Sequence, residues 1–279
     1  MGIRLRRRKF RGSAEDFSQP GRPTARRRGI YLLPNLFTTG ALFAGFFAIV
    51  QAMNQEFEWA AKAIFLAMVL DGMDGRVARL TNTQSAFGEQ YDSLSDMTSF
   101  GVAPALVVYE WALRDLGRWG WAGAFVYCCC AALRLARFNA NLGVVDKRFF
   151  QGLPSPAAAA LVAGFVWLAV DNHFRISAAW LPWTTFFLTV YAGLAMVSDA
   201  PFYSGKSFHL SRSVPFWVLI VMVIGIFFAS SEPSIVLFGL FCCYAVSGFA
   251  FWAWKALRGE SNPAQPVRAT AIEPIDSAS

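Results

Sequence analysis

The sequence predicts an all-α fold, a polytopic integral membrane bundle of about eight transmembrane helices. Three observations predict it. Hydrophobic residues fill 56% of the 279 positions, with 27 Phe and 10 Trp, and charged residues only 15%; an ordinary soluble domain carries about 25%. Apolar runs near the roughly 20 residues needed to cross a bilayer recur along the whole chain. Basic residues, finally, are distributed unevenly between alternate turns, as the positive-inside rule requires.

The runs lie at 33–53, 57–79, 91–113, 118–138, 155–171, 178–197, 213–231 and 234–254. The short turn Asp115-Leu-Gly-Arg118 joins the third and fourth, and Ser231-Glu-Pro233 joins the last two. In the sixth run Pro182 reads as an interruption, with Trp180 and Trp183 marking an interfacial start. With the N-terminus in the cytoplasm, only Lys62, Arg114, Arg118 and Arg175 of the 25 Lys and Arg fall outside, leaving 21 inside. Both termini are then cytoplasmic, in what reads as a bacterial inner membrane. Six spans, with one pair re-entrant or interfacial, is the alternative arrangement. A soluble protein is excluded.

Three regions follow: a basic, disordered tail at 1–30, a membrane domain at 31–256 and a disordered tail at 257–279. The first 28 residues hold ten basic residues against Glu15 and Asp16. That charge suits anionic cytoplasmic lipid, at about 1 kcal/mol per basic residue near the surface; nothing calls for nucleic acid. A signal peptide is disfavoured, because the apolar run after Pro34 is too long and no small-residue cleavage site closes it. Cys128, Cys129, Cys130, Cys242 and Cys243 lie inside apolar runs without zinc-site spacing. No internal repeat of the kind common in transporters is visible.

The chemistry concentrates in Asp71-Gly-Met-Asp74-Gly75-Arg-Val-Ala78-Arg79 and Gly88-Glu-Gln-Tyr-Asp92-Ser-Leu-Ser-Asp96. Ionisable residues at membrane depth are costly and mark functional sites. On a helix Asp71, Asp74, Gly75 and Ala78 share one face, as do Gly88, Asp92 and Asp96 on the next. Two helices joined by the turn Thr81–Ser85 would oppose these faces. Such a carboxylate cluster calls for a cation, and hard oxygen ligands suit Mg²⁺ or Mn²⁺. Gly75 and Gly88 serve either a ligand lying against the backbone or tight helix packing. Arg79 either meets a phosphate or snorkels to the interface. Two metals beside an arginine suit phosphoryl chemistry. The chain's two histidines, His173 and His209, support no covalent phosphohistidine route.

The pattern Asp71-x2-Asp74-Gly75-x2-Ala78-Arg79-x8-Gly88-x3-Asp92-x3-Asp96 resembles the signature of the CDP-alcohol phosphatidyltransferase family at every fixed position. From about Pro34 to Ser207 the chain is similar to that family's membrane-embedded phosphatidylserine synthase branch. Asp92-Ser-Leu-Ser-Asp-Met-Thr-Ser-Phe-Gly-Val-Ala-Pro104, Leu133-Arg-Leu-Ala-Arg-Phe-Asn139, Phe150-Gln-Gly-Leu-Pro-Ser-Pro-Ala157 and Pro201-Phe-Tyr-Ser-Gly-Lys206 carry that similarity. The resemblance implies a dimeric helical membrane enzyme that moves a phosphatidyl group from CDP-diacylglycerol to L-serine and releases CMP. It implies two metal ions, Mg²⁺ or Mn²⁺, held by Asp71, Asp74 and Asp92 with Asp96 completing the shell. Asp96 would be the general base. Asp71, Gly75, Ala78, Arg79 and Gly88 would form the CDP pocket. Arg134, Arg137, Asn139 and Lys206 are candidates for the serine carboxylate or a lipid phosphate, against a reading as inside-facing anchors.

Rival readings are a sister transferase using glycerol phosphate, inositol phosphate or choline, an intramembrane prenyltransferase and a divalent-metal transporter. A prenyltransferase would want a second aspartate-rich motif, and Asp115, Asp146, Asp171 and Asp199 stand far apart. A transporter leaves the match at Gly75, Ala78, Arg79 and Gly88 without an explanation.

Overall fold

The computed structural model describes residues 25–81, 85–140, 149–171, 177, 179–203, 225 and 230–258. Most of both expected tails, most of the run at 213–231, and Lys206 lie outside the described residues.

The long helix α1 (Ala25–Met53) turns back into α2 (Phe57–Thr81). These two pack along a stripe of small residues. Ala41, Ala44, Ala48 and Ala52 of α1 are buried, as are Ala60, Ala61, Ala63 and Ala67 of α2. Small side chains let helix backbones approach closely, which is how helices associate where lipid removes the hydrophobic drive.

Ser85 caps α3 (Ala86–Asp96), its hydroxyl accepting from the Gly88 amide at 3.0 Å. The chain stays helical past Asp96 but changes its winding. A π-wound stretch, Met97–Val102, leads into α4 (Ala103–Val108), then a second π stretch, Tyr109–Leu113, and a 3₁₀ turn at Arg114–Leu116. The expected single span at 91–113 is therefore a composite. Tyr127, fully buried, donates its hydroxyl to the Phe100 carbonyl in the first π stretch at 3.0 Å. Gly117, at φ +54°, then turns the chain into α5 (Arg118–Ala140).

Strand β1 (Phe149–Gln151) precedes α6 (Ser155–Val170) and α7 (Leu181–Val197); β2 (Pro201–Tyr203) and α8 (Pro233–Leu257) follow. The strands pair antiparallel, with Phe150 opposite Phe202. Pro182 sits in the first turn of α7, where its missing N–H costs nothing, so it opens this helix rather than interrupting it. In α6 the run from Ala157 to Ala163 is buried on every side. A helix apolar all round belongs at the centre of a bundle, and α2 and α8 both pack on it.

Among the described residues, three helices are long and apolar enough to cross a membrane, at Pro34–Met53, Arg118–Ala140 and Pro233–Lys255, and α6 and α7 are shorter apolar helices. Large apolar side chains such as Phe43, Phe46, Trp121, Phe125 and Leu240 face outward. This is a helical membrane protein.

One close helix approach makes a testable case. A Cβ on Gly45 of α1 would lie 2.7 Å from the Ser99 Cα in the first π stretch. Gly45→Ala should therefore cost about 1–3 kcal/mol, read as a lower melting point in detergent. Gly239→Ala, where a Cβ meets nothing within 4 Å, should cost nothing.

Candidate functional site

Asp71 and Asp74 lie one turn apart towards the C-terminal end of α2, and Asp92 and Asp96 one turn apart towards that of α3. One carboxylate oxygen from each of Asp71, Asp74 and Asp92 falls within 4.8 Å of the others. Asp74 and Asp92 are within hydrogen-bonding reach of each other, and so are Asp71 and Asp96. Asp96 thus joins the trio through Asp71.

Carboxylates this close share a proton or a cation. The Asp92 Oδ1 atom is buried and has no hydrogen-bond partner among the described residues, an arrangement that costs free energy until a donor or cation meets it. An all-oxygen donor set fits a hard divalent ion. The trio can hold a metal ion.

The acidic faces do not meet by direct packing of α2 on α3. Each of these helices packs instead on α1. Thr38 of α1 donates from Oγ1 to the Asp74 Oδ2 atom at 2.8 Å, and both residues are buried. On the other side Ser95 donates to the Thr38 carbonyl at 3.1 Å and Ser99 to the Ala41 carbonyl at 3.0 Å. The Thr39 and Tyr91 hydroxyls lie 2.9 Å apart.

A cleft of about 200 Å³ opens between these helices. Gly75, Ala78, Arg79 and Gly88 line it together with Asp74 and Asp92. Asp71 belongs to the carboxylate trio and not to this lining. A Cβ on Gly75 would meet nothing within 4 Å, so helix packing does not explain this glycine; free space in the cleft does. Gly88 differs, since its Cβ would meet Ser85 Oγ at 3.2 Å and Asn35 Oδ1 at 3.5 Å. Arg79 is exposed at the cleft and has no ion-pair partner among the described residues.

Of the basic candidates, Arg134 is within electrostatic range of the acidic cluster. It feels the charges of Asp96 and Asp71 without pairing directly with either, and donates to Ser155 Oγ at 2.6 Å. Arg137 is held by the Asp199 carboxylate at 3.0 Å and the Val197 carbonyl at 3.2 Å. Asn139 donates to Ser93 Oγ at 3.0 Å, next to Asp92. Sequence reasoning found the span at 33–53 but missed its part in the site, although Pro34, Asn35 and Thr38 line the cleft, as do Ser85 and Glu89. Polar Asn35, Thr38 and Thr39 inside an apolar span were the available signal.

A helical membrane protein with a carboxylate cleft at the ends of two helices is the class defined so far. The chain matches the CDP-alcohol phosphatidyltransferase family over residues 31–191, more than half its length, and belongs to that family. A Helicobacter pylori protein named CDP-diacylglycerol–serine O-phosphatidyltransferase is 36% identical over 235 residues, covering 84% of this chain and 98% of that protein. Proteins of the same name from Mycobacterium leprae and Methanocaldococcus jannaschii are 36% and 39% identical. The first match covers 75% of this chain and 70% of the relative, the second 57% and 71%.

The two glycines separate by stability. Gly75→Leu should melt no lower than the parent protein in detergent, since leucine is favoured over glycine in helices by up to about 1 kcal/mol. Gly88→Leu should melt below Gly75→Leu, because Ser85 and Asn35 must give way.

Proposed function

We propose that this chain is a phosphatidylserine synthase, transferring the phosphatidyl group of CDP-diacylglycerol to the L-serine hydroxyl with release of CMP. The observation that carries the reading is the aspartate trio, two members of which also line the Gly75–Gly88 cleft, in a chain of this family. The choice of serine is supported by the names of the relatives and by the stretches that follow the signature.

Asp71, Asp74, Asp92 and Asp96 would hold two Mg²⁺ or Mn²⁺ ions, which when bound neutralise the pyrophosphate and stabilise the attacking and leaving oxygens. Gly75, Ala78 and Gly88 leave room for the cytidine nucleotide, Asp71 contributes to its site, and Arg79 pairs with a phosphate. Asp96 accepts the proton of the serine hydroxyl. The serine oxygen bonds to the lipid-side phosphorus as the bond from that phosphorus to the CMP oxygen breaks, and the electron pair departs with CMP. Transfer is direct, without a covalent enzyme intermediate. Arg134, Arg137, Asn139 and Lys206 are the candidates for the serine carboxylate or lipid phosphate. Arg134 is favoured because it lies within electrostatic range of Asp96.

We read the membrane domain as 31–256 with eight spans, flanked by tails at 1–30 and 257–279; the expectation of disorder is corrected at 25–30, which belong to α1, and at Leu257, the last residue of α8. Both termini and the cleft face the cytoplasm of a bacterial inner membrane, and the enzyme works as a homodimer. The uneven distribution of Lys and Arg supports this orientation.

The test is CMP release by purified protein in detergent with CDP-diacylglycerol and Mn²⁺ or Mg²⁺. L-Serine, glycerol 3-phosphate, inositol 1-phosphate and choline are offered separately. Release that requires both metal and serine is expected. Release with another alcohol alone would reassign the acceptor, and none with any would favour the transporter reading. Asp96→Asn should lower kcat by about 10²–10⁴-fold with little change in CDP-lipid binding, whereas Asp71→Asn should weaken metal and CDP-lipid binding together. Near-parental activity in both variants would overturn the assignment. Gly75→Leu should raise KM for CDP-diacylglycerol while the protein remains folded.

A further inference from the structure

Thr38 is the one residue bonded to both acid-bearing helices among the contacts described above. Its hydroxyl donates to Asp74 on α2 at 2.8 Å, and its main-chain carbonyl accepts from Ser95 on α3 at 3.1 Å. Thr38, Asp74 and Ser95 are all buried, at 4%, 5% and 2% exposure. Since α2 and α3 each pack on α1 rather than closely on each other, the separation of Asp74 from Asp92 is set through α1.

We infer that Thr38 and Ser95 are positioning residues that fix the spacing and orientation of the Asp71–Asp74–Asp92 trio and thereby set its affinity for a divalent cation. The inference rests on the metal reading of the trio. The Thr38 hydroxyl has two acceptors nearby, Asp74 Oδ2 at 2.8 Å and the Pro34 carbonyl at 3.2 Å. It has a single proton, and the shorter contact is the one to the carboxylate. Donation to one carboxylate oxygen fixes the rotation of the Asp74 side chain and leaves the other oxygen for a ligand. Partners of this kind, one step removed from a metal, typically change its affinity by about 10–100-fold. Ser95 acts on the same clamp from the other helix. It lies between Asp92 and Asp96 in sequence, so its bond to the Thr38 carbonyl anchors the turn that carries both aspartates.

The Ser95 side chain is not part of the cleft lining, so the effect of its bond belongs in metal affinity and not in the chemical step. Removing the threonine hydroxyl at nearly constant volume, as in Thr38→Val, leaves the helix packing in place and takes away the donor. Removing the serine hydroxyl frees α3 from the same clamp by a different bond. Thr38→Ser keeps the donor and serves as the conservative rescue.

The experiment titrates the purified full chain in detergent with Mn²⁺ alone and follows free Mn²⁺ by electron paramagnetic resonance. Thr38→Val should raise the Mn²⁺ Kd by about 10–100-fold, and Ser95→Ala should raise it as well, with Thr38→Ser close to the parent. Because both act on one clamp, the double variant Thr38→Val with Ser95→Ala should lose less than the two single effects combined. In turnover by Ser95→Ala, whose side chain is not part of the cleft lining, the Mn²⁺ concentration for half-maximal rate should rise while kcat at saturating Mn²⁺ stays near the parental value. Parental Mn²⁺ affinity in folded Thr38→Val and Ser95→Ala would overturn the inference and leave the metal reading intact. Should Thr38→Val fail to fold, Ser95→Ala and Thr38→Ser decide it: a parental Kd in Ser95→Ala, or loss of affinity in Thr38→Ser, overturns the assignment. Absence of Mn²⁺ binding by the parent protein itself would overturn both the metal reading and the inference built on it.

Discussion

Mutual repulsion among carboxylates is the constraint around which this structure is arranged. At the 4.8 Å limit that encloses Asp71, Asp74 and Asp92, each ionised pair repels by about 3 kcal/mol at an effective dielectric near 20. One hydrogen bond contributes about 1 kcal/mol net, so the bond from Thr38 orients Asp74 without being able to hold the trio together. The mechanical load falls on the packing of α1, whose alanine stripe seats α2 and whose Gly45 admits the segment after Asp96. The electrostatic load is left for a cation. A scaffold and an ion together achieve what neither does alone.

The remaining architecture keeps that scaffold from relaxing. α6, closed in on every side, gives α2 and α8 a common surface to pack on. Tyr127 reaches from α5 to the Phe100 carbonyl, and Arg137 fastens the same helix to Val197 at the end of α7 and to Asp199 just beyond it. At the opposite end of α2 from the aspartates, Lys62 pairs with Glu58 and lies over the Trp59 and Trp167 rings, so an otherwise expensive charge is paired and screened. Buried polar contacts occur mainly where elements change winding or meet.

Much of the acidic centre was legible because its geometry is local. Residues three and four apart share a helix face whatever surrounds them, and so Asp71 with Asp74, and Asp92 with Asp96, could be paired from spacing alone. Gly75 was ambiguous in the sequence, since a packing glycine and a ligand glycine look alike until the neighbouring atoms are known. The part played by α1 was hidden for a different reason: polar residues in an apolar span are a weak signal by themselves, and the partners that tie Thr38 to the acid-bearing helices, Asp74 and Ser95, are 36 or more residues away. Pro182 misled because a proline opening a helix and one breaking it have the same local sequence. The winding changes after Asp96 were invisible, because hydropathy reports how apolar a segment is and not how many residues it spends per turn.

Those winding changes have a consequence for how the segment is divided. A π-wound stretch inserts extra residue into the helix, and each residue corresponds to about 100° of rotation about the axis. The stretch Met97–Val102 therefore works as a phase shifter. Upstream, the angular frame is set by Asp92 and Asp96; downstream, Ala103 and Val107 point into the core in a frame of their own. One continuous strut thus carries two independent faces, a polar one addressed to the cleft and an apolar one addressed to the bundle. Neither has to follow the periodicity of the other.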